Sequence, residues 1–193
     1  MYTAKNYEHL LGLEGFSDTL LSNHFKLYNG YVNNTNMVDE RLKSLAEEGN
    51  MGAGEYAELK RRFGWEFCGM RLHEYYFDGL NKEAKMLEGD SKLSEAIQKE
   101  YGLFENWKKD FIACGSMRGI GWVVLAYDRE NERLFNVWVN EHDMGHFAGL
   151  EILLVMDVFE HAFISDYELD KKSYIESYFA AIDWSVVEKR FVK

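Results

Sequence analysis

The sequence predicts an α+β fold: an N-terminal antiparallel helical hairpin, then a C-terminal domain with a small three-stranded antiparallel sheet surrounded by helices. Three observations carry that reading. Apolar residues recur at helical spacing as far as Leu80. Beyond Gly119 the pattern changes to short runs rich in β-branched and aromatic side chains. The polar, charged stretch Asn81–Ser91 lies between the two regimes and predicts a boundary there, with units spanning 1–85 and 86–193.

Taken in order, Ser17-Asp18-Thr19 caps a helix that is expected to run to Asn33, with Leu20, Leu27, Tyr28 and Tyr31 on its apolar stripe and His24 in the middle of it. The polar run Asn33-Asn34-Thr35-Asn36 reads as a break, and Val38–Glu48 as a second helical piece ended by the glycine-rich 49–54. From Glu55 to Leu80 the pattern is helical again, with Gly69, Met70, His73, Tyr76, Phe77 and Leu80 on one stripe. Ser94–Tyr101 and Phe104–Cys114 follow as helices. Gly119–Tyr127 and Arg133–Asn140 read as strands joined by the turn Asp128–Glu132, and Leu150–Val155 as a third strand. Helices at Phe159–Asp166, Lys171–Ile182 and Trp184–Phe191 complete the chain. There is no proline anywhere, so helix termination falls to Gly, Asn and Asp.

Composition narrows the function. With 193 residues, 47% of them hydrophobic and 16% aromatic, the chain can bury a sizeable core and is not disordered. A net charge of −11 argues against nucleic acid or an anionic membrane as the main partner, since both are polyanions. Two cysteines, Cys68 and Cys114, are too few for a disulfide framework, which predicts a reducing cytosol. No signal peptide and no membrane-spanning apolar run is readable, so the expectation is a cytoplasmic protein.

The chemistry centres on Met156–Tyr167, MDVFEHAFISDY, where Asp157 and His161 stand four residues apart with Glu160 beside the His. That interval puts the pair on one face of a helix; the two also meet if Asp157 ends an extended run and His161 lies in the first turn beyond it. Carboxylate and imidazole together suit iron, manganese or zinc better than calcium. His24 and His73 sit in equally apolar settings, where an uncoordinated imidazole needs buried hydrogen-bond partners. Three imidazoles and one carboxylate would leave an open position on a redox metal. The competing reading makes each His a satisfied core residue.

Several blocks, in the right order, resemble the iron/manganese superoxide dismutase family. Asp157-Val-Phe-Glu-His161-Ala is similar to the family's Asp-Val-Trp-Glu-His-Ala, and Leu72-His73-Glu-Tyr-Tyr76-Phe77 to its Asn-His-x-x-Tyr-Trp. Tyr31-Val-Asn-Asn34-x-Asn36 matches its Tyr-Val-Asn-Asn-x-Asn, and Gly119-Ile-Gly-Trp122 resembles its Gly-Ser-Gly-Trp. Tyr101-Gly-Leu-Phe104 with Phe111, and Trp184, fall at further matching positions. The resemblance implies superoxide as substrate, one iron or manganese ion per subunit held by His24, His73, Asp157 and His161, and a homodimer through the face near the metal.

The departures from the pattern carry information. The family's first ligand His stands eight residues before the Tyr of Tyr-Val-Asn-Asn; here that position is Asn23, and His24 stands seven before Tyr31. Neutral amide Asn23 is a poor ligand, and a one-residue deletion after His24 restores the match, with His24, Tyr28 and Tyr31 still on one face. Tyr28 replaces a family His and Ile164 its family Tyr partner across the dimer, so that link is expected to be lost, while Glu160 is retained as the bridge to the partner's His161. Phe159 and Val124 stand in for tryptophans; Trp122, Tyr76 and Phe77 keep the surroundings apolar.

Family members place a Gln beside the metal-bound solvent, from one of two positions. Here the first is Gly69, expected to leave its space vacant, and the second is His142. The resemblance therefore implies that His142 takes over the Gln's place and links to Tyr31, the two forming the proton-supplying side. Lys26 and Lys171 stand where cations would steer the anionic substrate, or are simply solvated. His9 and His146 read as surface or capping residues. A carboxylate-bridged di-iron protein would want repeated Glu-x-x-His motifs, which are absent. A metal-free member with a structural or binding role is the remaining alternative.

Overall fold

In the computed structural model, which describes residues 1–192, the chain forms the predicted α+β fold with seven α-helices and three strands among the described residues. Helices α1 (Asp18–Glu47) and α2 (Gly54–Asp78) make the N-terminal pair. Then come α3 (Lys92–Tyr101), α4 (Phe104–Gly115), β1 (Gly121–Asp128), β2 (Arg133–Asn140) and β3 (Glu151–Asp157). A 3-10 turn at Glu160–Ala162, α5 (Ile164–Tyr167), α6 (Lys171–Ala181) and α7 (Trp184–Phe191) follow.

Helix α1 begins where expected, with Ser17 Oγ accepting from the Leu20 amide at 3.0 Å. It does not break at Asn33–Asn36; it runs unbroken for 30 residues. The side chains that read as breakers are spent elsewhere. Asn34 Nδ2 reaches the Glu66 carboxylate of α2 at 3.4 Å, and Asn36 exchanges two hydrogen bonds with the Tyr2 backbone at 2.7 and 2.8 Å. Thr35 is buried, its hydroxyl donating to the Tyr31 carbonyl one turn back. Polar residues that would otherwise compete with the helical backbone are satisfied by partners outside it or along it, so a modest propensity cost is overridden. Leu27, placed on the apolar stripe by spacing, is 42% exposed; the buried stripe is Leu20, Leu21, His24, Tyr28 and Val32.

The sheet has the order β2-β1-β3, both pairings antiparallel. Strand β1 is central and buried along nearly its whole length, so it reads as a continuous apolar run rather than an alternation. Its register sets Trp122 opposite Val139 on one side and Asp157 on the other. Gly121, at φ +152°, lets β2 approach: a Cβ there would run into the Val139 carbonyl. Beside the sheet, Trp107 and Phe111 of α4 pack with Phe104, Phe179 and Trp184 as an aromatic cluster.

The two parts of the chain are stitched near the end of α2. The Asp183 amide donates to the Gly79 carbonyl at 2.9 Å, and the Asn81 amide to the Ala181 carbonyl at 3.0 Å. Arg190 ties α7 to both β3 and α2 by donating to the Leu153 and Tyr75 carbonyls. The expected helix over Phe159–Asp166 is replaced by the 3-10 turn and the single turn of α5. Phe159 is still extended, and Phe163 at φ −147° interrupts the run, because the turn must swing His161 back toward the end of β3. Of the two geometries open for Asp157 and His161, the strand-then-turn arrangement is the one adopted. No described helix is long and apolar enough to cross a membrane.

Candidate metal centre

Asp157 is the last residue of β3 and has no exposed surface. Its Oδ1 accepts from the Phe159 amide at 2.9 Å, an Asx-type contact that orients the carboxylate. Oδ2 therefore points the other way, and three imidazoles converge on it. His24 Nε2 and His161 Nε2 both stand at 3.1 Å, and His73 Nε2 at 3.8 Å. One donor atom from each of these four residues lies within 4.8 Å of every other. His24 comes from α1, His73 from α2 and His161 from the 3-10 turn, so three segments meet at the end of one strand. Asn23, the alternative first ligand, is exposed.

The protonation pattern follows from the partners. His73 Nδ1 is 2.6 Å from the Gly69 carbonyl, which can only accept, so the ring proton is on Nδ1 and the Nε2 lone pair faces the centre. That Nε2 is buried and has no hydrogen-bond partner. Burial, and then the neighbouring His24, holds His73 well below the ordinary imidazole range, and burial lowers His24 too. Burial pushes Asp157 up, but the His161 charge and the hydrogen bonds from His161 and His24 outweigh it and hold the carboxyl far below its usual range. For His161 the opposition runs the other way: burial lowers it, and Asp157 more than restores it. The result is an ionised carboxylate facing imidazoles, one of which turns a lone pair toward the centre without a hydrogen-bond partner. A cation of iron or manganese type fits this donor set, since atoms bound to one ion at about 2.1 Å stand roughly 3–4 Å apart.

A second group flanks the four. Tyr31 lies over His73 with ring centroids 5.1 Å apart, and its hydroxyl is 2.8 Å from His142 Nε2. Trp122 Nε1 donates to His142 Nδ1 at 3.1 Å. An indole can only donate, so Nδ1 accepts, the His142 proton is on Nε2, and it is donated to the Tyr31 oxygen. Burial pushes His142 down to about 4 and pushes Tyr31 up, so at neutral pH the imidazole is uncharged and the phenol keeps its proton. Gly69 does not leave empty space: the Tyr31 ring fills it, and a Cβ there would lie 2.6 Å from Tyr31 Cδ1.

The remaining predicted residues are distributed around this centre. Trp122, Tyr76 and Phe77 are buried, Phe159 packs on His142 and His161 with centroids 4.8 and 5.1 Å apart, and Val124 lies within the sheet core. The Tyr28 hydroxyl donates to Glu74 at 3.1 Å and accepts from the Lys5 amide at 3.0 Å, while Ile164 is 46% exposed. Glu160 is exposed next to His161, and Lys171 lies in the same cleft. Lys171 Nζ donates to the Gly115 and Met117 carbonyls at 3.3 and 3.1 Å, while Lys26 is exposed beside Lys5. His9 is exposed; His146, also exposed, hydrogen-bonds the His142 carbonyl at 2.9 Å.

Three residues that sequence reasoning missed also belong here. Tyr174 donates to the Asp157 carbonyl at 2.5 Å, and Tyr178 to the Val155 carbonyl at 2.8 Å, fixing the end of β3 from α6. Trp65 packs edge-on against His142 at 4.4 Å. The four-residue spacing of Tyr174 and Tyr178 was a usable signal; Trp65 carried none.

The model of "Iron/manganese superoxide dismutases, C-terminal domain" matches residues 89–190. The superoxide dismutase [Fe] of Methanothermobacter marburgensis is 32% identical over 179 residues, covering 90% of this chain and 86% of that protein. The superoxide dismutase [Fe] of Aquifex pyrophilus is 33% identical, covering 94% and 86% respectively. The superoxide dismutase [Mn] 2 of Haloferax volcanii is 31% identical, covering 87% and 82%.

The contact between Gly69 and Tyr31 gives a direct test of this packing. Gly69→Ala gains about 1 kcal/mol of helix propensity but forces the Tyr31 ring aside, an overpacking cost of about 1–3 kcal/mol. The expected outcome is a lower urea midpoint, and a raised midpoint would show that the ring yields freely.

Proposed function

The chain belongs to the iron/manganese superoxide dismutase family, and on that premise we propose that it converts superoxide to oxygen and hydrogen peroxide at one iron or manganese ion per subunit. His24, His73, Asp157 and His161 are the proposed ligands. The observation that carries this reading is the buried, unpartnered Nε2 of His73, aimed with two other imidazoles at one carboxylate oxygen. When bound, the ion supplies the one-electron couple that oxidises one superoxide and reduces the next.

The chain's own residues supply the rest. Asp157 offsets ionic charge and, held by the Phe159 amide, presents one oxygen only. Tyr76, Phe77, Trp122 and Phe159 exclude bulk water, so charge at the centre acts in a low-dielectric setting. Peroxide needs two protons. His142 donates from Nε2 to the Tyr31 oxygen, which leaves the Tyr31 hydroxyl proton free to turn toward the centre. His142 thus stands in for a side-chain amide: a neutral group that donates on one edge and accepts on the other.

We assign the protein to the cytoplasm from its reduced cysteine content, and propose a homodimer in which Glu160 bridges to His161 of the partner subunit. Lys26 and Lys171 are proposed to raise the local potential for the anion, with Lys171 also bound to backbone carbonyls.

Expressed with iron or manganese in excess, the protein is expected to hold about one ion per chain and to dismute superoxide. His24→Ala should lose the ion and Asn23→Ala should keep it. Absence of metal from both cultures would instead favour a metal-free structural role. Replacing both Lys26 and Lys171 by Gln should slow turnover mainly at low salt, and a rate without salt dependence would count against steering. Sedimentation of Glu160→Ala should show a weakened dimer, whereas an unaltered one would remove the bridge.

A further inference from the structure

We propose that Trp65 and Glu141 form a latch that positions the His142 imidazole on Tyr31, so that Trp65 is a positioning residue for the site. The inference rests on the metal-site reading above only for its catalytic consequence; the geometry stands by itself.

His142 lies in the turn that follows β2, and the residue before it, Glu141, has φ +50°. That left-handed conformation is rare for a residue with a side chain, and it persists only where surrounding contacts over-determine it. Here the contact comes from another part of the chain. Trp65 Nε1 of α2 donates to Glu141 Oε2 at 2.9 Å, across 76 residues of sequence. The same indole meets the His142 ring edge-on at 4.4 Å and the Tyr31 ring at 5.5 Å. One side chain therefore grips the strained residue by its carboxylate and packs on the functional residue beside it.

Trp65 is itself braced from outside. The Arg62 guanidinium stacks on its ring at 4.0 Å and pairs with Glu66 at 2.6 Å. Glu66 is almost wholly buried and also accepts from Asn34 of α1. Backbone bonds close the turn, with the Asn140 amide donating to the Met144 carbonyl at 2.7 Å. They do not orient the imidazole. Its two nitrogens are taken by Trp122 and Tyr31, and either bond lengthens if the turn tips. The latch from α2 is what stops it tipping.

The test reads the His142 Nε2 proton by nitrogen-correlated NMR on chelator-treated protein, free of paramagnetic ions. Trp65→Phe keeps a ring against His142 and removes the donor; Glu141→Ala keeps a non-glycine residue in the turn and removes the acceptor. Both are expected to speed exchange of the His142 ring proton at least about fivefold, the equivalent of one lost hydrogen bond. Glu141→Gln, which retains an accepting oxygen, should stay within about twofold of the unmodified protein. Dismutation by the metal-loaded variants should fall in the same order. A Trp65→Phe protein that melts lower but keeps the unmodified exchange rate overturns the proposal, since Trp65 is then packing alone. Absence of dismutation by the unmodified, metal-loaded protein would overturn the proposed function and leave the exchange result to decide the latch.

Discussion

Everything in this molecule is arranged around one buried negative charge. A lone carboxylate with no solvent contact costs several kcal/mol unless it is compensated, and Asp157 is compensated from every direction. The Phe159 amide takes one oxygen and three imidazoles face the other. Even its backbone carbonyl is occupied, by the Tyr174 hydroxyl. To satisfy it, α1 and α2 must cross the end of β3 at fixed positions, and the chain after β3 must fold back within four residues. The short 3-10 turn is the consequence.

Around that charge lies a layer that we propose places protons. Its composition is a trade between two sides of the site. Helix α2 offers no polar side chain at Gly69, and the Tyr31 ring occupies the room. The polar function comes instead from the turn after β2, where His142 accepts from Trp122 and donates to Tyr31. An imidazole held neutral by burial can do what an amide does, donor on one edge and acceptor on the other. Because it is delivered by a turn rather than by a helix, its accuracy depends on contacts made by its neighbours.

Much of this was legible in the residues, and the parts that were not share a cause. Strand β2 and helix α7 have the bounds their periodicity predicts, since each is a short element with a clear apolar pattern. His24 was preferred to Asn23 on ligand chemistry, and burial separates the two in the same sense. The break expected at Asn33–Asn36 is absent because local propensity cannot see Glu66 or Tyr2, which absorb those amides from distant segments. The helix expected over Phe159–Asp166 is absent because His161 is drawn back not only onto Asp157 but onto His24 and His73, which come from distant helices. Gly69 reads as a gap in the sequence for the same reason: the ring that fills it comes from another helix. Trp65 left no trace, since a single aromatic on an amphipathic helix looks like any other core residue.

The separation of the four proposed ligands along the chain bears on the order of folding. His24 and Asp157 are 133 residues apart, and Ser17 is tied to Asp166 over 149. Contacts of that separation carry a large loop-closure entropy and form late, after local helices and the β1–β2 hairpin. Before then the chain has only partial sets of the proposed ligands to offer, His24 with His73 from the α1–α2 pair or Asp157 with His161, each a weaker chelate than the four together. Tight capture therefore waits for both halves of the polypeptide to dock. On the proposed ligand set, an ion held by all four residues would mark a completed topology.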